Sequence, residues 1–183
     1  MPRNHQDYYV TPAATITEFI AKFQVVEPGF DFASAHVFDP SAGGCSIHEM
    51  AYPAALHALG CVKVDTLDIR PDSRAQTVGD YMSHFPETAY DMIITNPPFT
   101  SAMGFILAAL EDCKPGGFVV MLLRLNYFGA ESRHQFWQET MPTYCFIHSR
   151  RPCFAGTRSV QSDYAHFVWV AGQYPAYTKT FVI

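Results

Sequence analysis

The sequence is short of charge. Asp, Glu, Lys and Arg make up 16% of its 183 residues, while 49% are apolar, a profile that excludes a disordered chain. Basic excess is missing too. A net charge of −5 excludes a protein that coats nucleic acid by bulk electrostatics, although a local basic patch is enough to meet it. The densest such patch is His148-Ser149-Arg150-Arg151, with Arg158 close by. On charge alone, a solvated turn between strands explains it equally well. No apolar run approaches the roughly 20 residues that span a bilayer. Met1-Pro-Arg-Asn-His-Gln-Asp7 holds no segment of the signal-peptide kind. A cytoplasmic protein with no membrane partner is therefore expected.

Paired cysteines are also absent. The count is five, an odd number, and no two have Cys-x-x-Cys spacing, so reduced, largely buried thiols are expected. The eight histidines form no His-Glu-x-x-His arrangement, and no metal site is expected. There is no internal repeat, low-complexity tract or linker. A single domain over residues 1–183 follows, long enough for a full core.

What is present is an alternation of strand and helix patterns. A helix is expected over 13–26, with Ile16, Phe19, Ile20 and Phe23 on one face. Thr11 is placed to cap it, and Pro12 suits the first helical position. Ala35 to Asp39 reads as a buried strand, followed by the small-residue turn Pro40-Ser41-Ala42-Gly43-Gly44-Cys45 and a helix over 46–59 that Pro53 bends or delays. Further strands are expected at 61–69, 78–82 (or a turn there), 90–95, 118–125, 144–149 and 164–171. Helices are expected over 101–113 and 131–140. The strand at 118–125 is the most apolar and so central. The last two strands suit an antiparallel hairpin across the loop 150–163, which is too long for a tight turn. The fold class is α/β, with a doubly wound, seven-stranded, mostly parallel sheet and one antiparallel strand near the C-terminus.

The chemistry is expected at strand ends. Met92-Ile93-Ile94 stops at Asn96-Pro97-Pro98-Phe99, because two successive prolines remove two backbone donors and fix two φ angles. The result is a stiff corner presenting one amide and one ring. Asp39 with its glycine turn, Asp68 and Asp80 stand at three other strand ends. In a doubly wound sheet all four share one edge and line one crevice. Strand, glycine turn and helix together accept a nucleotide-like ligand on free amides. An acid about 30 residues into such a unit takes ribose hydroxyls, and Asp68 is better placed for this than Asp65. A water-exposed charged strand end is the plainer explanation.

These motifs resemble the class I S-adenosylmethionine-dependent methyltransferases, specifically those that modify the N6 amine of adenine in nucleic acid. The resemblance covers nearly the whole chain. Asp39-Pro40-Ser41-Ala42-Gly43-Gly44 resembles the family's cofactor loop, and Tyr9-Val10-Thr11-Pro12 the segment that holds the methionine end of the cofactor. Asp68 with Ile69 matches the ribose-binding position, and Asp80 the acid at the cofactor's adenine. Asn96-Pro97-Pro98-Phe99 matches the catalytic motif and is the most specific of these. Lys114-Pro115-Gly116-Gly117 before a hydrophobic strand is typical of the fold. Leu123 to Phe128, Arg151 to Phe154 and Asp163 to Val170 resemble small members encoded by phages and prophages. Cys45 stands where many relatives have a further glycine, and no separate target-recognition region is long enough to be present.

The resemblance implies S-adenosyl-L-methionine as cofactor and a nucleic acid, DNA ahead of RNA, as partner. A homodimer, which would enlarge the binding surface, stays open. Asn96, Pro97 and Phe99 are the implied catalytic residues. Tyr9, Thr11, Asp39, Pro40, Ala42, Gly43, Asp68, Ile69, Asp80 and Asn96 would hold the cofactor. Phe99 and Phe154 would stack on the flipped base, and Arg150, Arg151 and Arg158 would meet phosphates. The same corner also serves guanine N2 in RNA and glutamine side chains. A catalytically inactive binding subunit is a rival from another class. A nucleotide-dependent dehydrogenase lacks its Gly-x-Gly-x-x-Gly turn here.

Overall fold

The computed structural model describes residues 9–154 and 162–183. The chain runs α1 (Ala13–Val26), β1 (His36–Asp39), α2 (Ala51–Ala58), β2 (Lys63–Asp68), β3 (Thr77–Val78), β4 (Tyr90–Thr95), α3 (Ala102–Asp112), β5 (Cys113–Arg124), α4 (His134–Glu139), β6 (Tyr144–Ile147), β7 (Tyr164–Val170) and β8 (Lys179–Val182). The strands form one sheet in the order β3-β2-β1-β4-β5-β7-β6-β8. β7 is antiparallel to both neighbours, and every other pairing is parallel.

Strand alternation explains the three layers. On β4 and β5, Met92, Ile94, Phe118 and Val120 face α1 and α2, where Ile16, Phe19, Phe23 and Leu56 complete one core. Ile93, Val119, Met121 and Leu123 face the other way, onto Phe105, Ile106 and Ala109 of α3 and Trp137 of α4. The period-2 pattern of a doubly covered strand thus feeds two cores at once. In α1 the apolar residues fall at helical spacing, and Ile16, Phe19, Ile20 and Phe23 are almost wholly buried. Each contributes about 1.5–3 kcal/mol of transfer free energy.

Several expectations change. The sheet has eight described strands rather than seven. β8 extends the β6 edge in parallel, and its mostly exposed residues carried no apolar signal. The third strand is only Thr77–Val78, because Asp80 caps a 3-10 turn at Tyr81–Ser83 by accepting the Met82 amide at 3.0 Å. α2 begins at Ala51, which puts Pro53 in its first turn, where a missing N–H costs nothing. β5 starts early, at Cys113, with a register irregularity against β4. The helix expected over 131–140 is a 3-10 turn at Glu131–Arg133 followed by α4. Thr11 does not cap α1; Pro12 occupies that position with no side-chain bond.

The order reverses between β1 and β4, since the chain winds outward to β2 and β3 and then returns across β1. That switch point opens a crevice at the carboxyl ends of the strands. Asp39, Asp68 and Thr95 end their strands there.

Candidate active site

The crevice holds a cavity of about 210 Å³, walled by Tyr9 to Thr11, Pro40 to Gly44, Tyr52, Asp68 to Arg70, Gly79 to Met82, Asn96 and Pro98. This is room for a ligand rather than for a single water. Four of these segments follow β1, β2, β3 and β4 at the same sheet edge, and Tyr9 to Thr11 joins them from ahead of α1.

The glycine turn is shaped by contacts behind it. The Gly43 amide donates to Asp68 Oδ2 at 2.8 Å, and the Ser41 amide donates to Asp39 Oδ1 at 3.1 Å. Gly44 has φ +75°, and a Cβ there would stand 2.8 Å from Met50 Cγ. Only glycine fits that conformation without displacing a neighbour. Asp39 therefore supports the loop from below and is not on the cavity wall. Burial is the main force that pushes its carboxyl up to about 7, against the Thr95 hydroxyl and Ser41 amide, with Asp68 raising it further. Its Oδ2 has no hydrogen-bond partner.

Asp68 is on the wall but largely engaged. Its Oδ1 accepts the Arg70 amide at 2.8 Å and lies 3.2 Å from Arg70 Nε, while Oδ2 accepts from Gly43. A carboxylate has about four acceptor positions, so one remains for a ligand hydroxyl. Arg70 is buried and also donates to the Gly44 carbonyl at 2.9 Å. It welds β2 to the glycine turn, a role no sequence pattern signalled. Ile69 is 56% exposed and offers the cavity an apolar face. Asp80 also lines the cavity, with one carboxylate oxygen accepting the Met82 amide.

The proline corner presents Asn96 at the cavity. Its Nδ2 donates to Thr11 Oγ1 at 3.2 Å. Its Oδ1 is buried and has no partner. A buried unsatisfied acceptor costs about 1–3 kcal/mol, so the structure carries that cost at one defined atom. Pro97 is buried, and the Pro98 carbonyl accepts the Ser101 amide at 3.0 Å. Pro97 is not among the residues that wall the cavity.

Beside the corner stands a group of rings. Tyr9 lies 6.3 Å from Phe99 and 6.0 Å from Phe154. Tyr164 lies 6.2 Å from Phe99 and 5.1 Å from Phe154. Phe154 is 2% exposed, so it backs the cluster, while Phe99 remains half-buried. The two are held apart by Tyr9 and Tyr164, which the sequence did not single out as spacers. Arg124 at the end of β5 stacks on Phe99, with its guanidinium carbon 4.5 Å from the ring centroid. Its Nε donates to the Tyr164 hydroxyl at 3.2 Å. The signal for Arg124 in the sequence is a lone cation at the end of the most apolar strand. Arg150 and Arg151 are exposed, and Arg151 pairs with Asp163 at 2.8 Å. Arg158 lies outside the described residues.

No group of His, Cys, Asp and Glu among the described residues is arranged to hold a metal ion. No described helix is long and apolar enough to cross a membrane.

No family model matches the chain, and no curated protein matches it by sequence. Solved structures do. A candidate RNA methyltransferase from Pyrococcus horikoshii superposes with a TM-score of 0.69 over 93% of this chain and 90% of its own, at 15% identity. A candidate class I S-adenosylmethionine-dependent methyltransferase from Listeria monocytogenes gives 0.64 over 95% of this chain, at 14% identity. The M protein of the type I restriction enzyme EcoKI gives 0.59 over 77% of this chain, at 12% identity. This chain spans 65% of the Listeria protein and 40% of the EcoKI subunit. The molecule has the Rossmann-like fold of the class I methyltransferases.

Proposed function

We propose that this protein transfers a methyl group from S-adenosyl-L-methionine to the exocyclic N6 amine of adenine in DNA. The observation that carries the reading is the buried, partnerless Oδ1 of Asn96 at the cavity, with the rest of its amide held by Thr11. An aromatic amine is a weak nucleophile because its lone pair is delocalised into the ring. Two acceptors on its two hydrogens turn that lone pair outward. Asn96 Oδ1 is the first, and the Pro97 carbonyl is the second. The prolines hold both in place before the substrate arrives, which removes reorganisation from the barrier.

S-adenosylmethionine, when bound, supplies an already activated methyl group. The chain's own residues bind and orient. The glycine turn supports the ligand's approach, Asp68 keeps one acceptor position for a ribose hydroxyl, Asp80 faces the adenine end and Ile69 gives it an apolar surface. Asp39 holds the turn from below through the Ser41 amide. No side chain acts as a strong base, since the amine sheds its proton after transfer.

A duplex base cannot enter this crevice while stacked, so the adenine is flipped or comes from a single strand. Phe99 receives its face, and Arg124 behind the ring strengthens the stack. Phe154 braces the cluster. Arg150, Arg151 and Arg158 meet the flanking phosphates.

One observation favours a second reading, transfer to RNA at adenine N6 or guanine N2. The Pyrococcus neighbour, a candidate RNA methyltransferase, matches over 90% of its own length, so a fold of this extent accounts for nearly all of that protein. Labelled-methyl transfer to duplex DNA, single-stranded DNA, RNA and protein, followed by nucleoside analysis, decides between them. N6-methyladenine in DNA is expected. Label in RNA alone would move the assignment to the second reading, and failure of the cofactor to bind in calorimetry would leave an inert binding subunit.

A further inference from the structure

Two buried histidines stand behind the cavity, and methyl transfer does not use them. His166 is in β7 and His148 follows β6; they are 0% and 3% exposed. His166 Nδ1 lies 2.8 Å from His148 Nε2. Its other nitrogen, Nε2, lies 3.0 Å from the hydroxyl of Tyr52, on α2. Tyr52 is itself buried and walls the cavity. From α1, Phe19 stacks on the His166 ring at 4.2 Å. The cross-strand neighbours of His166 are Leu122 on β5 and Phe146 on β6, both apolar. Among the described residues Glu18, on α1, is the charged group that faces the pair. Its Oε2 stops 3.8 Å from His148 Nδ1, which has no hydrogen-bond partner.

A neutral imidazole has one N–H and one bare nitrogen. In a neutral pair one ring donates to the other, and a hydroxyl both donates and accepts. Either tautomer of His166 therefore satisfies both of its contacts, and the bond that ties Tyr52 to β7 holds in both. An added proton changes this. No carboxylate is hydrogen-bonded to either ring, so the charge would sit in an apolar layer between the sheet and α1 and α2. A second proton would set N–H against N–H at the 2.8 Å contact. Burial accordingly holds both rings below the ordinary 6.5, His166 well below it, and Glu18 pulls His148 back only in part. The unfolded chain takes up these protons as pH falls below 6.5, while the folded chain resists them. The stability of the neutral pair is thus full above 6.5 and is lost on the acid side. Parting α2 from β7 relieves the charge, and it takes Tyr52 out of the wall.

We propose that His166, braced by His148, is a positioning residue that holds Tyr52 in the wall of the cofactor crevice, and that the neutral pair sets an acid limit on cofactor binding. This rests on the reading of the crevice as the S-adenosylmethionine site.

Calorimetry of the full chain with S-adenosylmethionine at pH 7.5 and pH 5.5 is the test. Affinity should fall about threefold to tenfold at the lower pH. Asp39 titrates in the same range, so the pair of measurements is repeated in Asp39→Asn, where the fall should persist. His166→Gln keeps an amide for the Tyr52 hydroxyl but takes up no proton. It should bind within about threefold of wild type at pH 7.5 and lose most of the fall. His166→Leu should bind about tenfold more weakly at pH 7.5. Ring ¹⁵N spectra of the wild-type histidines need neither variant nor cofactor. They should show two neutral rings at pH 7.5, with the Tyr52 hydroxyl proton protected from exchange there and released at pH 5.5. A flat affinity would overturn the proposal, as would a fall as large in His166→Gln as in wild type. A charged His166 at pH 7.5 would do the same without any binding measurement. Absence of binding at both pH values would instead remove the crevice reading, and the spectra would still show whether acid frees Tyr52 from His166.

Discussion

The two walls of the crevice are built by different physics. The wall from β1 and β2 is polar and internally tied: Asp68 holds Gly43 and Arg70, Arg70 holds the Gly44 carbonyl, and Asp39 holds Ser41. Its geometry is fixed by charge-assisted bonds in a buried setting, where each is strong and its loss is expensive. The side beyond β4 and β5 is backed by a cluster of rings, of which Tyr9 lines the cavity and Phe154 and Tyr164 are buried. Tyr9, Phe99, Phe154 and Tyr164 touch edge to face or tilted, at 5.1–6.3 Å between centroids. Such contacts have broad minima worth about 0.5–1.5 kcal/mol each. A wall of hydrogen bonds suits an invariant ligand that always docks the same way. A cluster of rings suits a flat ligand that must slide in and leave.

The sharpest way to break this contrast is at Asp68. Asp68→Ala removes the buried carboxylate from the Arg70 guanidinium and frees the glycine turn. A stability loss of about 3–5 kcal/mol is expected, read as a lower midpoint in urea, together with loss of cofactor binding by calorimetry. A small loss would show that the polar wall is not internally braced.

At Asp39 the same wall should show itself in pH. The carboxyl is raised from 3.8 to about 7 in the fold, so the folded state keeps a proton that the unfolded state releases. The stability from this group is full below 3.8 and is lost as pH climbs through about 7. Asp39→Asn should flatten that decline in denaturation midpoints measured between pH 4 and pH 8, and an unchanged slope would contradict it.

Asn96→Ala sits where the walls meet. It should cost about 10²–10³-fold in kcat, with cofactor affinity and the denaturation midpoint nearly intact. Full activity would remove Asn96 from the mechanism.

Phe99→Ala tests the ring wall. Loss of one stacking face should raise KM for the nucleic acid about tenfold to a hundredfold, while cofactor binding stays the same. An equal loss in cofactor affinity would mean that the two walls are not separate. The smallest effect is expected from Arg151→Ala. Its exposed pair with Asp163 contributes no more than about 1 kcal/mol to stability, and any larger change would show as weaker, less salt-dependent nucleic-acid binding.

How much of this was legible varied with distance along the chain. Asp39, Asp68 and Asn96 could be placed because each ends an apolar strand pattern and is followed by proline or glycine. Parallel winding then brings strand ends together without further information. Asp80 was legible as a polar end, but the strand before it shrank to two residues, because a local side-chain cap competes with sheet pairing. β8 was not legible, since an edge strand half in water needs no apolar run. Thr11 was assigned to the helix it precedes. Only packing shows that its hydroxyl is taken by an amide 85 positions later.

By itself the sequence determined the α/β alternation, the sheet edge that carries the crevice and the amide on a proline corner. All three are consequences of local pattern: hydrophobic period, backbone restriction by proline and glycine, and the right-handed crossover. Only the tertiary structure decided that Asp68 is mostly occupied by Arg70 and Gly43, that four rings from distant segments form one cluster, and that two buried histidines meet Tyr52 behind the cavity. Each depends on side chains meeting across the fold, and nothing in the spacing of residues along a chain encodes which groups will be neighbours once it closes.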